Sequence, residues 1–298
     1  MIANTSPRIS ILLPTYNRAS LIMETIQSVR DQTFPDWELV VINDQSTDNT
    51  EMLIQSLEDP RIRVVNTVHR LGITGSRNEG LSRALGTWIA FIDSDDLWHP
   101  QKLERQWEAL QQHPDAGFCL TGGYNFRISG VPEAYFYQQQ SGIRYGDLLV
   151  PFFQSEAAAT TSAILFKKEL LDKTGWFDAG KSFADVDFML RLARQANGLI
   201  VYEPLFFRRL HDNNISDHNW KQGCEEGIQL AKLYRHKLPA GLGRKALYKA
   251  YINFGEKCLV KKKPGKALAK FFRAWLVKPF RVAAPKKMVK AVLFVFKK

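Results

Sequence analysis

The sequence contains few cysteines and no long apolar run. Its three cysteines, Cys119, Cys224 and Cys258, are widely separated among 298 residues, which suits neither a disulfide framework nor a zinc site and favours buried thiols in a reducing compartment. No apolar stretch approaches the roughly 18 residues that a membrane-spanning helix needs. The apolar run Ile9 to Leu13 is also too short to be the core of a signal peptide. We therefore expect a cytoplasmic protein.

Glycine is absent from the first 71 residues, and the first one is Gly72. A Gly-x-Gly-x-x-Gly fingerprint after the first strand is therefore missing, which excludes a dinucleotide-binding Rossmann domain. A P-loop is also absent, as is the glycine-rich first loop with which sugar nucleotidyltransferases enclose a triphosphate. If the protein binds a phosphate, it must hold it with a metal ion and side chains.

Charge is distributed unevenly along the chain. The net charge is +11, yet residues 221–298 carry 21 Lys and Arg against three Glu, a balance of +18. The first 220 residues carry 20 basic and 27 acidic side chains, a balance of −7. Such a split is typical of a catalytic or binding module followed by a basic tail that contacts an anionic partner. We place the boundary between residues 217 and 220.

Strand and helix patterns alternate from the start of the chain. The predicted strands cover 9–13, 38–42, 62–65 and 88–92, and the predicted helices cover 19–31, from 47 or 48 to about 58, and 74–85 with Gly86 as its C-terminal stop. This order predicts an α/β protein with a mostly parallel sheet, in which ligands collect beyond the carboxyl ends of the strands. Polar clusters at residues 14–18, 43–46 and 93–96 follow three of these strands.

The strand at 88–92 is followed by three carboxylates. Asp93 and Asp95 would lie on the same face of an extended chain, with Asp96 beside them. Neighbouring carboxylates repel, and a divalent cation with oxygen ligands would compensate them. Two interpretations stay open from these residues alone: a magnesium or manganese site, and an acidic loop without an ion.

Four motifs occur in a fixed order and resemble those of family-2 glycosyltransferases. They are Ile11-Leu12-Leu13-Pro14-Thr15-Tyr16-Asn17-Arg18, Val40-Val41-Ile42-Asn43-Asp44-Gln45-Ser46-Thr47-Asp48-Asn49-Thr50, Gly72-x4-Arg77-Asn78-x-Gly80 and Phe91-Ile92-Asp93-Ser94-Asp95-Asp96. The resemblance covers about residues 8–216. It implies a GT-A fold, a Rossmann-like, mostly parallel mixed sheet flanked by helices, that uses a nucleoside-diphosphate sugar and Mn²⁺ or Mg²⁺.

The resemblance also assigns site residues. The residues implied to bind the nucleotide are Pro14, Thr15, Tyr16, Asn17, Arg18, Asp44, Ser46, Arg77 and Asp93. Asp95 would be the main metal ligand, with Asp93 reaching the ribose or the metal and Asp96 as a substitute. Asn43 and Gln45 depart from the family pattern, which often has Asp and Gly there, and this leaves the identity of the base open.

The second half would supply the catalytic base. In the family a Gly-x-Phe-Asp segment precedes a Glu-Asp pair that opens a helix, and the Asp of that pair is the base. Here Ala184 stands in the place of the Glu, so that the implied base is Asp185. The plain alternative is an acid that stabilises the start of a helix. Further along, His211 is expected to contact phosphate or metal with Arg209 as its support, and a loop histidine without a ligand is the alternative.

The basic tail shows helical periodicity at 220–235, 244–261 and 266–277. The tail contains apolar side chains such as Phe272 and Leu276 together with many lysines. This combination is typical of a helix at an anionic membrane surface. A helical cap with a solvated basic face is the alternative. Nucleic acid fits less well, because the aromatic side chains cluster on an apolar face.

We predict a GT-A domain over residues 1–218, with a nucleotide half of about 1–98 and an acceptor half of 99–218, and a basic helical tail over 219–298. The predicted function is inverting transfer of a sugar from a UDP-sugar to a saccharide or lipid-linked acceptor in surface glycan synthesis. The predicted location is cytoplasmic, with a peripheral position on the inner face of the cell membrane left open. A non-catalytic sugar-nucleotide-binding or scaffold subunit is the competing hypothesis.

Overall fold

The computed structural model describes residues 6–127, 131–135, 140–181, 184–211 and 219–296. Contacts divide the chain into two compact units, Met1–Gly180 with Ala184–His211 and Lys181–Phe183 with Asp212–Lys298. Each unit is described by itself.

The first unit is built on a sheet of ten strands. These are β1 Ile9–Thr15, β2 Trp37–Asn43, β3 Ile62–Asn66, β4 Trp88–Phe91, β5 Leu97–Trp98, β6 Phe118–Phe126, β7 Pro132–Tyr135, β8 Ile143–Gly146, β9 Ile164–Lys167 and β10 Gly198–Arg209. The strand order is β3-β2-β1-β4-β9-β6-β10-β5, with β7 paired to β6 and β8 paired to β10. All seven residues of β1 and all seven of β2 are buried, as expected for central strands covered on both faces.

The sheet is mixed. β1, β2, β3 and β4 run parallel to one another, and β6 runs parallel to β10. Strand β9 lies between these two sets and is antiparallel to both β4 and β6. The parallel set places the ends of β1, β2 and β4 at one edge of the sheet, where the sequence has its polar clusters.

Helices connect and cover these strands. They are α1 Ile22–Arg30, α2 Thr50–Gln55, α3 Gly72–Arg83, α4 Lys102–Gln112, α5 Leu149–Gln154, α6 Leu171–Thr174 and α7 Ala184–Leu192. Helix α1 buries Ile22, Thr25, Ile26 and Val29, because this spacing places the four side chains on one face. The predicted α/β order over the first 98 residues is confirmed, with α1 and α2 shorter than expected.

The prediction that Gly86 ends a helix is wrong. Helix α3 ends at Arg83, and Ala84 already has an extended conformation, with φ −64° and ψ 129°. Gly86 instead lies against β1: a Cβ atom at this position would be 2.6 Å from the backbone nitrogen of Ser10. The glycine is required by close packing of two chain segments.

The described residues of the second unit form four helices, α8 Trp220–Tyr234, α9 Leu242–Val260, α10 Pro264–Val277 and α11 Ala283–Phe296. The three predicted helical segments are confirmed, with α10 beginning at Pro264, a residue suited to a first helical turn. Helices α9 and α10 pack closely, since a Cβ on Gly255 would lie 2.3 Å from the ring of Phe271. Within the described residues, no helix is both long and apolar enough to cross a bilayer.

Candidate active site

The loops after β1 and β2 are joined to each other at the carboxyl edge of the sheet. The backbone N–H of Asn17 donates to Oγ of Ser46 at 3.1 Å, and the side chain of Asn17 accepts from the backbone N–H of Thr47 at 2.8 Å. The N–H of Arg18 donates to Oγ1 of Thr50 at 2.8 Å. Asn17 has φ 50°, a left-handed conformation that asparagine tolerates well. Two of the predicted nucleotide-binding clusters therefore form one surface.

Asp44 organises the rim of this surface. Its buried carboxylate accepts hydrogen bonds from the backbone N–H groups of Leu71 at 2.7 Å and Gly72 at 2.9 Å, at the start of α3. It also forms an ion pair with Arg70 at 2.7 Å, and the guanidinium of Arg70 lies 3.2 Å from the ring centroid of Tyr16. Asp44 thus holds a cation on the half-exposed ring of Tyr16.

Asp95 lies in the turn after β4 and is held by two basic side chains. His211 Nε2 is 2.9 Å from Oδ2 of Asp95, and Arg18 NH2 is 3.5 Å from the same oxygen. Burial acts to raise the pKa of Asp95, but the hydrogen bond with His211 and the charge of Arg18 outweigh it, so that the pKa lies below its ordinary value. The ionised carboxylate is the form that binds a metal cation.

Arg209 supports Asp95 through its backbone. Its Nε donates to the carbonyl oxygen of Asp95 at 3.0 Å, and its NH2 forms an ion pair with Glu24 at 2.6 Å. This nearly buried guanidinium also lies 4.6 Å from the ring centroid of Phe126. The contacts described here are with the acidic turn and Glu24, whereas the role expected for Arg209, support of His211, stays a prediction.

Asp96 points into the protein. Its carboxylate accepts from Oγ of Ser162 at 2.7 Å and from the backbone N–H of Arg209 at 3.1 Å. Burial and the nearby charges of Asp95 and Asp93 raise its pKa well above the ordinary value, which favours the protonated form. These contacts fit a structural role and do not favour Asp96 as a metal ligand.

The expectation that Asp93 and Asp95 share one face does not hold. Strand β4 ends at Phe91, and the backbone N–H of Asp96 donates to the carbonyl of Asp93 at 3.0 Å, so that this segment is a turn. Asp93 forms an ion pair with Arg77 at 2.9 Å, whereas Asp95 contacts His211 and Arg18. The turn gives the two carboxylates different partners because it breaks the two-residue period of a strand.

Arg77 connects Asp93 to the predicted base. Its buried guanidinium donates to Oδ1 of Asp93 and to Oγ1 of Thr161, both at 2.9 Å. Burial raises the pKa of Asp185 above its ordinary value, Arg77 opposes this increase, and the charge of Asp93 adds to it. The guanidinium of Arg77 also lies 5.6 Å from the ring centroid of Phe177, and this ring stacks on Phe188 of α7. Helix α7 therefore packs beside Arg77.

Asn78 joins two distant motifs. Its side chain donates to the carbonyl oxygen of Phe177 at 2.9 Å and accepts from the N–H of Phe177 at 3.0 Å. The ring of Phe177 stacks on Phe188 of α7 at a centroid distance of 4.3 Å. Through these contacts α3 is joined to the segment that leads into α7 and Asp185.

Three buried polar atoms of predicted site residues have no hydrogen-bond partner in the described part of the chain. They are Oγ1 of Thr15, Nε of Arg18 and Nε of Arg77. Buried polar groups are normally paired, and unpaired ones need an explanation such as a ligand. Two guanidinium N–H donors and a hydroxyl suit the oxygen atoms of a ribose or diphosphate.

A divalent metal ion fits these side chains only if the substrate supplies part of its coordination. Among the described residues, no group of three or more His, Cys, Asp or Glu side chains is arranged to enclose an ion. Magnesium and manganese, however, need only one or two carboxylates when substrate phosphates and water complete the coordination. Asp95, with Asp93 and His211 nearby, meets that requirement.

The motifs do not include Arg70, nor the hydroxyl side chains just before β9. Arg70 stands two residues before Gly72, the first residue of α3, in another loop at the same sheet edge, and this position was the available signal. Thr161 and Ser162 contact Arg77, Asp93 and Asp96. Ser162 also accepts from the backbone N–H of Asp93 at 3.2 Å. The short helical turn Thr161–Ala163 therefore fixes the acidic loop.

Comparison with known proteins identifies the family. The family model described as "Glycosyl transferase family 2" matches residues 10–175. The chain belongs to this family. It is also 32% identical over 223 residues to TuaG of Bacillus subtilis (strain 168), named as a teichuronic acid biosynthesis glycosyltransferase, with 73% of this chain and 85% of that protein covered.

A shorter match has a higher identity. The UDP-Glc:alpha-D-GlcNAc-diphosphoundecaprenol beta-1,3-glucosyltransferase WfgD of Escherichia coli is 43% identical over 98 residues, which cover 33% of this chain and 39% of WfgD. The chain thus matches less than half of the length of WfgD.

The fold is similar to that of a solved structure. The crystal structure of S. aureus TarS 1-349 in complex with UDP-GlcNAc superposes with a TM-score of 0.69 at 18% identity, covering 95% of this chain and 89% of that one. The family-2 glycosyltransferase and the GT-A fold, both expected from the motifs, are confirmed.

Proposed function

We propose that this glycosyltransferase moves a sugar from a UDP-sugar to a saccharide or lipid-linked acceptor in surface glycan synthesis, with inversion at the anomeric carbon. The observation that carries the proposal is the set of ion pairs after β4, in which Arg18 pairs with Asp95 and Arg77 pairs with Asp93. Arg77 and Asp93 also act on the pKa of Asp185. The names of TuaG and WfgD support a cell-surface glycan and a lipid-linked diphosphate acceptor.

The nucleotide would occupy the surface formed by the loops after β1 and β2. Tyr16, held by Arg70 and Asp44, would stack on the base, and the unpaired N–H groups of Arg18 and Arg77 would face the ribose and diphosphate. Both oxygens of Asp44 already accept protein hydrogen bonds. Asp44 therefore acts on the base chiefly by fixing Arg70 and Tyr16.

Asp95 would hold a manganese or magnesium ion together with Asp93 or His211. When bound, the ion would neutralise the charge that gathers on the departing diphosphate. His211 and Arg18 keep the Asp95 carboxylate in place and ionised. Arg209 fixes the backbone of Asp95, so that the carboxylate does not have to reorganise when the donor binds.

Asp185 would act as the general base. Its carboxylate removes the proton from the acceptor hydroxyl as that oxygen forms a bond to the anomeric carbon. The bond from this carbon to the diphosphate oxygen breaks at the same time, and its electron pair leaves with UDP. The raised pKa of Asp185, caused first by burial, makes it a stronger base. Such proton transfer contributes about 10²–10⁴ in rate.

The division into a transferase domain over residues 1–218 and a basic tail over 219–298 is part of the proposal. We assign the tail to an anionic membrane surface. Supporting observations are the exposed apolar side chains Leu276, Phe280 and Leu293, which lie among many lysines in the second unit. The enzyme would then meet a lipid-linked acceptor at the inner face of the membrane.

The central test is UDP release from a panel of UDP-sugars with manganese and a lipid-linked saccharide acceptor. Asp185→Asn should lower kcat at least about 100-fold and leave UDP binding, measured calorimetrically, unchanged. Asp172→Asn, at an exposed position of helix α6, is the matched control and should transfer normally. Asp95→Ala should weaken Mn²⁺-dependent UDP binding. The electron paramagnetic resonance spectrum of Mn²⁺ measures how much of the ion is bound.

Two results would count against this assignment. Full turnover by Asp185→Asn removes the residue as the base. Tight UDP binding without turnover of any donor by the unaltered protein favours the non-catalytic binding subunit, the alternative that Ala184 and Asn43 leave open by their departure from the family pattern.

A further inference from the structure

The second unit contains a cavity with an unusual lining. The cavity has a volume of about 380 Å³ and lies among helices α8, α9 and α10. It is lined by Trp220, Lys221, Glu225, Phe254, Lys263, Lys266, Ala269, Lys270 and Arg273. Five cations thus surround one space together with a single carboxylate.

The cations are placed by the helix period and by two aromatic rings. Lys266, Lys270 and Arg273 recur at intervals of four and three residues, which places them on one face of α10. Lys270 Nζ lies 4.2 Å from the ring centroid of Phe254, and Lys263 Nζ lies 5.5 Å from that of Trp220. The aromatic wall orients these ammonium groups.

Within the described residues, most of these charges have no carboxylate partner. Lys221 forms a loose ion pair with Glu225 at 3.9 Å. In the described ranges of the chain, no carboxylate forms an ion pair with Lys263, Lys266, Lys270 or Arg273. Like charges at i, i+4 on a helix repel each other, and a concave surface lined by charges of one sign concentrates the opposite ion.

We infer that this cavity, called the basic cleft, binds a phosphate-bearing group through the lysines and Arg273. A phosphate carries several oxygens and more than one charge, and lysine and arginine are its usual side-chain partners. The volume lies in the range of small-molecule sites. It can therefore hold a diphosphate, or a phosphodiester with its attached group against Trp220 and Phe254.

Two sources carry this chemistry: a lipid headgroup and a soluble phosphate compound. Exposed Leu268, Phe272 and Leu276 recur at four-residue intervals on another face of α10, which favours a phosphate attached to a lipid. The basic cleft lies wholly within the second unit, so its ligand binding does not depend on sugar transfer by the first unit.

The soluble source is tested by calorimetric titration of the full chain with inorganic pyrophosphate. Lys266→Gln combined with Lys270→Gln should weaken binding at least about tenfold. Lys245→Gln combined with Lys249→Gln removes the same charge from exposed positions on α9 that do not line the cleft, and should change the affinity less than about threefold. A Lys266→Arg, Lys270→Arg pair should retain binding.

The lipid source is tested by co-sedimentation with phosphatidylcholine vesicles that contain or lack phosphatidic acid. Binding only to the anionic vesicles, lost in the cleft variant and kept in the α9 control, supports a lipid phosphate. Loss of pyrophosphate binding alone supports a soluble compound. The inference is overturned if neither probe binds, or if the cleft and control variants lose affinity equally. Arg273→Gln provides a second, independent cleft variant, and unchanged UDP binding excludes unfolding of the first unit.

Discussion

Lys102, at the start of α4, has an environment that should make the stability of the protein depend on pH. The side chain is fully buried, and its Nζ donates to Oε1 of Gln106 at 2.8 Å and lies 4.0 Å from the ring centroid of Trp98. Burial lowers the pKa of Lys102 from 10.5 to about 7, although Cys119 acts in the opposite direction. Between these two values, the folded protein binds fewer protons at this site than the unfolded chain does.

The sign and size follow from linkage. Because the pKa of Lys102 is lower in the folded protein, its contribution to the free energy of unfolding is unfavourable at low pH. This cost is full below pH 7 and is lost progressively as the pH rises from 7 towards 10.5. At about 1.4 kcal/mol per pKa unit, the full cost below pH 7 is about 5 kcal/mol. Between pH 7 and pH 9 the contribution of Lys102 to the free energy of unfolding should rise by about 2 kcal/mol.

The assay compares urea unfolding of the unaltered protein and Lys102→Met at pH 6, 7, 8 and 9, followed by tryptophan fluorescence. Methionine keeps most of the volume and cannot ionise, so other titrations cancel in the difference between the two proteins. That difference should shift by about 2 kcal/mol from pH 7 to pH 9 in favour of the unaltered protein. Lys173→Met, at an exposed position, should give no such shift. Parallel pH profiles for Lys102→Met and the unaltered protein would refute the reasoning.

Two packing predictions concern Gly86 and Asn78. Gly86→Ala should destabilise the protein by about 1–3 kcal/mol, because its Cβ would meet the backbone of Ser10. Gly227→Ala, where no atom lies within 4 Å of the new Cβ, should not lower the melting temperature, and equal effects of the two changes would contradict this explanation. Asn78→Ala should cost about 2 kcal/mol, since it leaves the N–H and carbonyl of Phe177 unpaired. Asn78→Asp keeps the hydrogen-bond acceptor and should lower the free energy of unfolding by less than Asn78→Ala does. Chemical denaturation that finds Asn78→Asp to be the more destabilising change would exclude this explanation.

The alternating order of strands and helices could be predicted because each element carries a local pattern. The seven residues of β1 are apolar or small, and the four buried positions of α1 follow a helical period. The edge of the sheet that carries polar side chains follows from strand direction alone. Strand direction thus predicts that the polar clusters at 14–18, 43–46 and 93–96 meet at one edge, and the family resemblance adds the roles of Asp44, Asp93 and Asp95.

Orientation within the site could not be predicted in the same way. The tight turn after β4 sends Asp96 inward to Ser162 and separates the partners of Asp93 and Asp95. Neither Arg70 nor Lys102 stands in a recognised motif, and both acquire their role from residues that are distant in sequence. Such contacts depend on tertiary packing, which periodicity does not encode.

The pairing of Asn78 with Phe177 affects how this enzyme can diversify. Asn78 contacts only main-chain atoms of its partner, so this bond places no demand on the side chain at position 177. Exchanges at the exposed position 176 can alter the surface beside this joint, whereas Phe177 is held in place by its packing on Phe188. The joint to α3 persists through such exchanges as long as the asparagine itself is kept.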